Sequence, residues 1–436
     1  MARRFLDKKT HSFYFVNEAG ERARYVLIYG DEVNTLDGDA PSGGDFRPVE
    51  YRGRLGEWDP PPLAAERALE MYFLDVGQGD AAFVTTPNGT NILVDGGLRE
   101  RALGFLIWKY RLDDAANRVR IDHMFLSHAD ADHVEGLIPL LNHPQIDVTN
   151  VYHNGIGMFD SGFDGDLGDV SPDDRLLTLH STLADLDGLD LASGTFSKWI
   201  LAVGNSHANY RSLSSADGIL DIGDPSVTLE IVGPRLEPDG NSMRWFNDKA
   251  HTINGNSLVF RLTYQFVRTF FSGDLNIEGG NHLMSFPNAA LQVNSHVFKA
   301  PHHGSHEYSQ LLLNSVKPMI SMVSSGNSPD HGHPRAVFLG ALGLAGRGPT
   351  PLVFATEIAA TFVDAGDAEA AVDDGPVTFG DLDFSTSPAN AEARRRFKKI
   401  LPGIINVRTD GREIYAFRRV QASYQWESYG PLLPLD

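Results

Sequence analysis

Four side chains able to bind a metal ion, His128, Asp130, Asp132 and His133, crowd into six consecutive positions of the segment Ser127–Gly136. Such a cluster cannot be spread around a solvated helix; it needs a sharp turn. The preceding run Ile121–Leu126 is short with an apolar end, which predicts a buried strand, and Val134–Leu141 predicts the start of a helix. The cluster therefore falls in a strand-to-helix turn, at the edge where open α/β sheets place their ligands. Imidazoles and carboxylates together suit zinc, manganese or iron rather than calcium.

Composition sets the outer bounds. The chain has 436 residues, 42% of them hydrophobic, which is ample for a large core. It has no cysteine, so neither a disulfide nor a thiolate metal site is open to it. No run of about 18 apolar residues occurs and no apolar signal segment follows the basic N-terminus, so a cytoplasmic protein with no membrane segment is expected. The formal net charge of −20 repels polyanions at long range, so a phosphodiester substrate needs a local capture site. Two divalent ions among three carboxylates would reverse the sign locally.

The chain divides in outline. Residues 1–62 carry strand-like runs at 13–16 and 24–29, a Gly/Asp/Pro-rich stretch, and a stiff Asp59-Pro60-Pro61-Pro62 linker. This predicts a β-rich N-terminal extension, a lid or a surface for a partner protein. Residues 63–436 read as one hydrolase domain. Asn88-Gly89 between strand-like runs predicts a hairpin. Insertions are expected at about 154–215 and at 363–402, the second acidic at its start and basic at 394–399, and a closing hairpin around Asp410-Gly411. No internal repeat of fixed period is present.

Three later segments repeat the pattern of an apolar run followed by a turn bearing donors: Phe270-Phe271-Ser272-Gly273-Asp274, Val297-Phe298-Lys299-Ala300-Pro301-His302-His303, and Asp330-His331-Gly332-His333. If those strands are neighbours, their ends converge on one edge and supply most of the donors two metals need.

These motifs together resemble a known family. His128-Ala129-Asp130-Ala131-Asp132-His133 resembles the HxHxDH signature of the metallo-β-lactamase superfamily, with Asp for the second His. Asp75–Ala81, Ile92–Gly97, Asn256–Val259, Ser272–Leu275 and Pro301–Ser305 resemble the corresponding domain of ComEC-type competence DNA-uptake proteins and their free-standing relatives, over about residues 69–355. The membrane-channel part of those proteins has no counterpart here, so DNA uptake is not carried over. The resemblance implies an αββα sandwich holding two divalent ions, zinc or manganese. One ion would take Asp132, His133, His302 and a bridging Asp274; the other would take His128, Asp130 and the same Asp274. The superfamily's further His for that second ion falls at about 251–256, where this chain has Asn, which implies a labile second ion. Asp130 in place of His hardens the site toward manganese or magnesium.

The sequence does not separate His302 from His303; His302 is taken as the ligand because it comes first after Pro301. His303, Lys299, Asn256 and His331 are then substrate-facing candidates, and His333 the general acid. Asp80 and Asp95 are expected behind the ligands, orienting a His or bracing its loop. A metal-bound hydroxide, oriented by Asp132 or Asp130, would attack the substrate. A metal-dependent phosphodiesterase or nuclease acting on short or single-stranded nucleic acid is the leading expectation. A lactonase or β-lactamase-like hydrolase would need an apolar acyl pocket, for which Trp108, Phe159, Phe163, Trp199 and Trp245 are candidates. A non-catalytic metal-binding interaction module is the third possibility.

Overall fold

The structure is a computed structural model that describes residues 2–17, 19–36, 46–160, 163, 166–192, 194–326, 332–357, 403–419 and 426–434. Two large sheets lie back to back. The first has nine strands in the order Asn209–Ser212, Ile146–His153, Val119–Phe125, Asn91–Val94, Ala82–Thr85, Leu69–Phe73, Ile405–Thr409, Ile414–Arg419 and Trp426–Leu432. The second has seven, in the order Ile219–Leu220, Val227–Gly233, Val259–Tyr264, Val267–Phe271, Val297–Lys299, Ile320–Val323 and Leu352–Ala355.

Burial on both faces explains why these strands read as nearly continuous apolar runs. Leu69, Met71, Phe73 and Phe125 of the first sheet meet Leu229, Phe260, Leu262 and Phe271 of the second in one central core. Phe260 stacks with Phe271 and tilts against Phe125, both at 4.9 Å between ring centres. The outer face of the first sheet packs against the helices Arg101–Tyr110, Leu137–Leu141 and Thr195–Ser206. The outer face of the second packs against Ile277–Met284, Gln310–Val316 and Ala336–Ala345. The result is the αββα sandwich, and no helix among the described residues is long and apolar enough to cross a membrane.

Chain direction brings the chemistry to one edge. The Asn91–Val94, Val119–Phe125, Ile146–His153 and Asn209–Ser212 strands run parallel, as do Val267–Phe271, Val297–Lys299, Ile320–Val323 and Leu352–Ala355. Asp95, the 127–133 turn, Asp274 and the 302–303 pair each follow the end of one of these strands.

Several sequence boundaries shift. The Asn88-Gly89 turn is a longer loop: Thr86 N–H donates to Thr90 O at 2.9 Å, and Asn88 Oδ1 accepts from the Thr86 and Thr90 hydroxyls. Residues 195–212 form a helix and the edge strand of the nine-stranded sheet. The stretch at 363–402, with its basic run, lies outside the described residues. The hairpin at 405–419 closes the first sheet beside Leu69–Phe73.

The N-terminal extension forms a third, antiparallel sheet of seven strands, whose last, Leu63–Ala64, falls just past residue 62. It is tied to the sandwich by a buried guanidinium. Arg408 donates to Tyr29 O at 2.6 Å and pairs with Asp31 at 2.9 Å on the extension side. It also donates to Tyr72 Oη at 2.8 Å and lies 3.9 Å from Glu70 on the sandwich side. Lys109 and Arg67 pair with Glu70 at 3.0 and 3.1 Å. Burial pushes the Glu70 carboxyl up, but Lys109, Arg408 and Arg67 outweigh it and hold it down to about 2.

Replacing Arg408 by Met leaves Asp31 and Glu70 short of a partner in a buried site, and is expected to cost about 3–5 kcal/mol of unfolding free energy in a urea titration. Because the folded Glu70 value lies below its ordinary 4.5, its contribution is fully present above about pH 4.5 and is lost as pH falls toward 2. The stability gap between wild type and Glu70→Gln should therefore be open at neutral pH and close across that acid window.

Candidate metal centre

The site is built from behind. Asp95 lies just past the Asn91–Val94 strand with a left-handed φ of 58° and is buried. Its carboxylate accepts from the Ser127 amide at 2.7 Å, the Ser127 hydroxyl at 2.8 Å and His133 Nδ1 at 3.0 Å. One aspartate thus braces the turn and fixes the His133 ring. With its proton given to Asp95, Ser127 Oγ accepts from His128 Nδ1 at 2.9 Å. Both imidazoles then turn Nε2 inward.

On the facing sheet, His303 Nδ1 donates to Ser324 O at 3.0 Å, so its Nε2 is also turned inward. That atom lies 3.0 Å from Asp274 Oδ2, 3.1 Å from Asp132 Oδ2 and 3.3 Å from His133 Nε2. Asp274 Oδ2 is in turn 3.3 Å from His133 Nε2. One donor atom from each of Asp80, His133, Asp274 and His303 lies within 4.8 Å of the others, and all four residues are buried. Asp80 reaches this position because Gly79, at φ +123°, lets the chain run against Asp132; a Cβ there would sit 2.2 Å from Asp132 O. Asp80 also forms a buried ion pair with Lys299.

Inward-facing lone pairs beside carboxylate oxygens demand positive charge between them. The titration behaviour says the same. Burial lowers His133 and His303, yet Asp274 and the other surrounding carboxylates overcome it and hold both well above the ordinary imidazole value. Burial likewise opposes charge on Asp132 and Asp274, and the two imidazoles overcome it, lowering both carboxyls. A divalent ion can take the place of the protons. Around this group, Asp274 Oδ1 and His128 Nε2 are buried without hydrogen-bond partners, the latter 3.6 Å from Asp130 Oδ2. These are spare donors for a second ion, and a mixed N/O set fits zinc or manganese.

Other residues singled out from sequence fall elsewhere. His302 lines the cavity beside the cluster with its Nδ1 buried and unpartnered, while His303 stands among the four donors. Lys299 faces neither cavity nor solvent: it is buried on Asp80 and donates to Ala300 O at 2.7 Å. Asn256 is buried with its amide donating to Arg244 O and Thr252 O, both at 2.9 Å. Asn254, which sequence reasoning passed over, lines the cavity with an unpartnered Oδ1. His333 lies on the cavity wall, 3.4 Å from the Gln78 amide, and His331 is outside the described residues. The cavity has a volume of about 540 Å³ and its wall also includes Arg99, Arg101 and Glu357. Among the described residues, its apolar side chains are Val76, Leu98 and Ala131; none of Trp108, Phe159, Phe163, Trp199 or Trp245 reaches it.

A family model described as the metallo-beta-lactamase superfamily matches residues 74–319. No curated protein matches the chain. Solved structures similar to it include Igni18, a metallo hydrolase from the archaeon Ignicoccus hospitalis, at 10% identity and a TM-score of 0.33, covering 65% of this chain and 96% of that one. A metallo-beta-lactamase from Cronobacter sakazakii has 15% identity and a TM-score of 0.28, with coverage of 52% and 75%. A long form RNase Z from yeast has 12% identity and a TM-score of 0.27, with coverage of 61% and 38%. Likeness at this level says nothing about substrate.

Metal binding should compete with protons. Since the surrounding carboxylates make His133 and His303 hold protons more tightly than free imidazoles, ion entry must displace protons from the cluster. Calorimetry in buffers of different ionisation enthalpy should register that release, with affinity weakening as pH falls. Asp95→Ala frees the His133 ring and should weaken metal binding about 10–100-fold.

Proposed function

Because the chain belongs to the metallo-beta-lactamase superfamily, whose members are mostly hydrolases, we propose that it is a metal-dependent phosphodiesterase or nuclease acting on short or flexible substrates. The observation that carries this reading is the cavity over the donor cluster, whose walls bear the Arg99 and Arg101 guanidiniums beside carboxylate, imidazole and amide groups, and no aromatic side chain from the five acyl-pocket candidates. The two guanidiniums, with divalent ions among the carboxylates, would suit an anionic phosphodiester, whereas a lactone or β-lactam would call for aromatic or aliphatic side chains around its acyl part. The resemblance of the Asp75–Ala81 and Pro301–Ser305 motifs to ComEC-type domains supports the same substrate class.

Asp132, His133, Asp274 and His303 would hold one ion, Asp80 being already paired with Lys299, and His303 is preferred over His302 because its Nε2 faces the carboxylates. His128, Asp130 and Asp274 Oδ1 would hold a second, weaker one. When bound, such ions supply Lewis acidity toward the scissile phosphate and lower the pKa of water. The chain's own groups do the remainder. Asp132, partly open to the cavity, accepts a hydrogen bond from the attacking water and orients it. His333, steadied by Gln78, gives a proton to the departing oxygen. Asp95 and Ser324 O hold the two imidazoles so that neither has to reorient as charge develops.

Purified protein loaded with manganese or zinc should hydrolyse bis-p-nitrophenyl phosphate and single-stranded DNA, and a chelator should abolish both. Asp274→Asn should lose turnover by about 10²–10³-fold or more, the scale set by removing one electrostatic stabiliser from an active site. Turnover of a lactone panel with no phosphodiester cleavage would overturn the reading, and metal-loaded protein that turns over nothing would favour a binding module.

A further inference from the structure

Arg99 and Arg101 stand on the wall of the metal cavity without a structural task that accounts for them. Arg99 is exposed, and among the described residues it has no hydrogen bond or ion pair. Its backbone is in the left-handed region, at φ 59°, which an arginine adopts only where the surrounding structure holds it. Arg101 has one loose ion pair, 3.7 Å from Asp75, and is likewise exposed. Both follow the Asp95-Gly96-Gly97 turn, which is locked onto the His133 turn. The Gly96 amide donates to His133 O at 2.7 Å, and the Gly136 amide to Gly97 O at 2.9 Å. A Cβ on Gly136 would lie 2.1 Å from Gly96 O, so this contact has no slack for a side chain. The backbone that leads into the two arginines is thereby held against the turn that carries the metal donors.

The rest of the wall could not hold a polyanion. Asp130, Asp132 and Glu357 face the same space, and the chain as a whole carries −20. Only the reacting phosphate would gain from ions at the floor; its neighbour along a nucleic-acid strand needs its own cation. The planar guanidinium fork matches phosphate oxygens in pairs.

We infer that Arg99 and Arg101 form a subsite for the phosphate adjacent to the one cleaved, making a single-stranded oligonucleotide, rather than an isolated phosphodiester, the preferred substrate. This rests on the phosphodiesterase reading above.

The test has two arms. In the first, the ratio of kcat/KM for an oligothymidylate to that for bis-p-nitrophenyl phosphate is compared between wild type, Arg99→Ala and Arg101→Ala. That ratio should fall about tenfold or more in each variant, the worth of one charge-assisted phosphate contact, with Arg99→Lys recovering part of the loss. In the second, binding of fluorescent oligothymidylate to manganese-loaded His333→Ala protein, which keeps every proposed metal donor, is followed against salt. Each arginine removed should flatten the log–log slope by about 0.7. An unmoved ratio with an unmoved slope overturns the subsite. The slope needs no turnover, so it decides the subsite separately; wild-type protein that cleaves neither substrate sinks the phosphodiesterase reading instead.

Discussion

Nitrogen lone pairs and carboxylate oxygens pointed at one another in a buried space are unstable unless positive charge sits between them, and this conflict organises the molecule. His133 Nε2, His303 Nε2 and Asp274 Oδ2 approach within 3.3 Å of one another. Each is held from behind, by Asp95, by Ser324 O and by the turn after the Val267–Phe271 strand. The first two supports are remote in sequence from the imidazoles they hold. They exist because two sheets pack through Phe125, Phe260 and Phe271 and bring the ends of parallel strands to one edge. The sandwich is what makes the conflict tolerable, and a cation is what resolves it.

Much of this is legible in the amino-acid sequence. A short apolar run followed by a turn dense in Asp and His specifies a strand end with donors, and 127–133, 272–274 and 299–303 all obey it. Pattern alone could not choose between His302 and His303. Both have φ of 50°, and the difference is that Ser324 O, on a neighbouring strand end, captures Nδ1 of the second. The same reason hid Lys299, whose buried partner Asp80 lies far back in the chain. Asn256 and Asn254 share a helix end, and the turn of that helix decides which one sees the cavity.

Elsewhere the sequence is silent because the deciding contact joins remote segments. Arg408 reads as one arginine in a closing hairpin, yet it is the buried tie between that hairpin, the Leu69–Phe73 strand and the N-terminal sheet. Arg99 and Arg101 belong to none of the motifs read from the sequence. Their position on the cavity wall depends on the Gly96–Gly136 contact, which no spacing rule reveals. Two strand-like runs are visible in residues 1–62, where the structure forms a seven-stranded sheet; the shorter strands, such as Glu32–Thr35, lack enough alternation to stand out.

The most direct test of the central claim is the anomalous difference map of a crystal soaked in manganese. A peak should appear at about 2.0–2.3 Å from Nε2 of His133, Nε2 of His303 and Oδ2 of Asp274. An ion held by His302 with His303 turned away, or no ion between these three atoms at saturating metal, would contradict it.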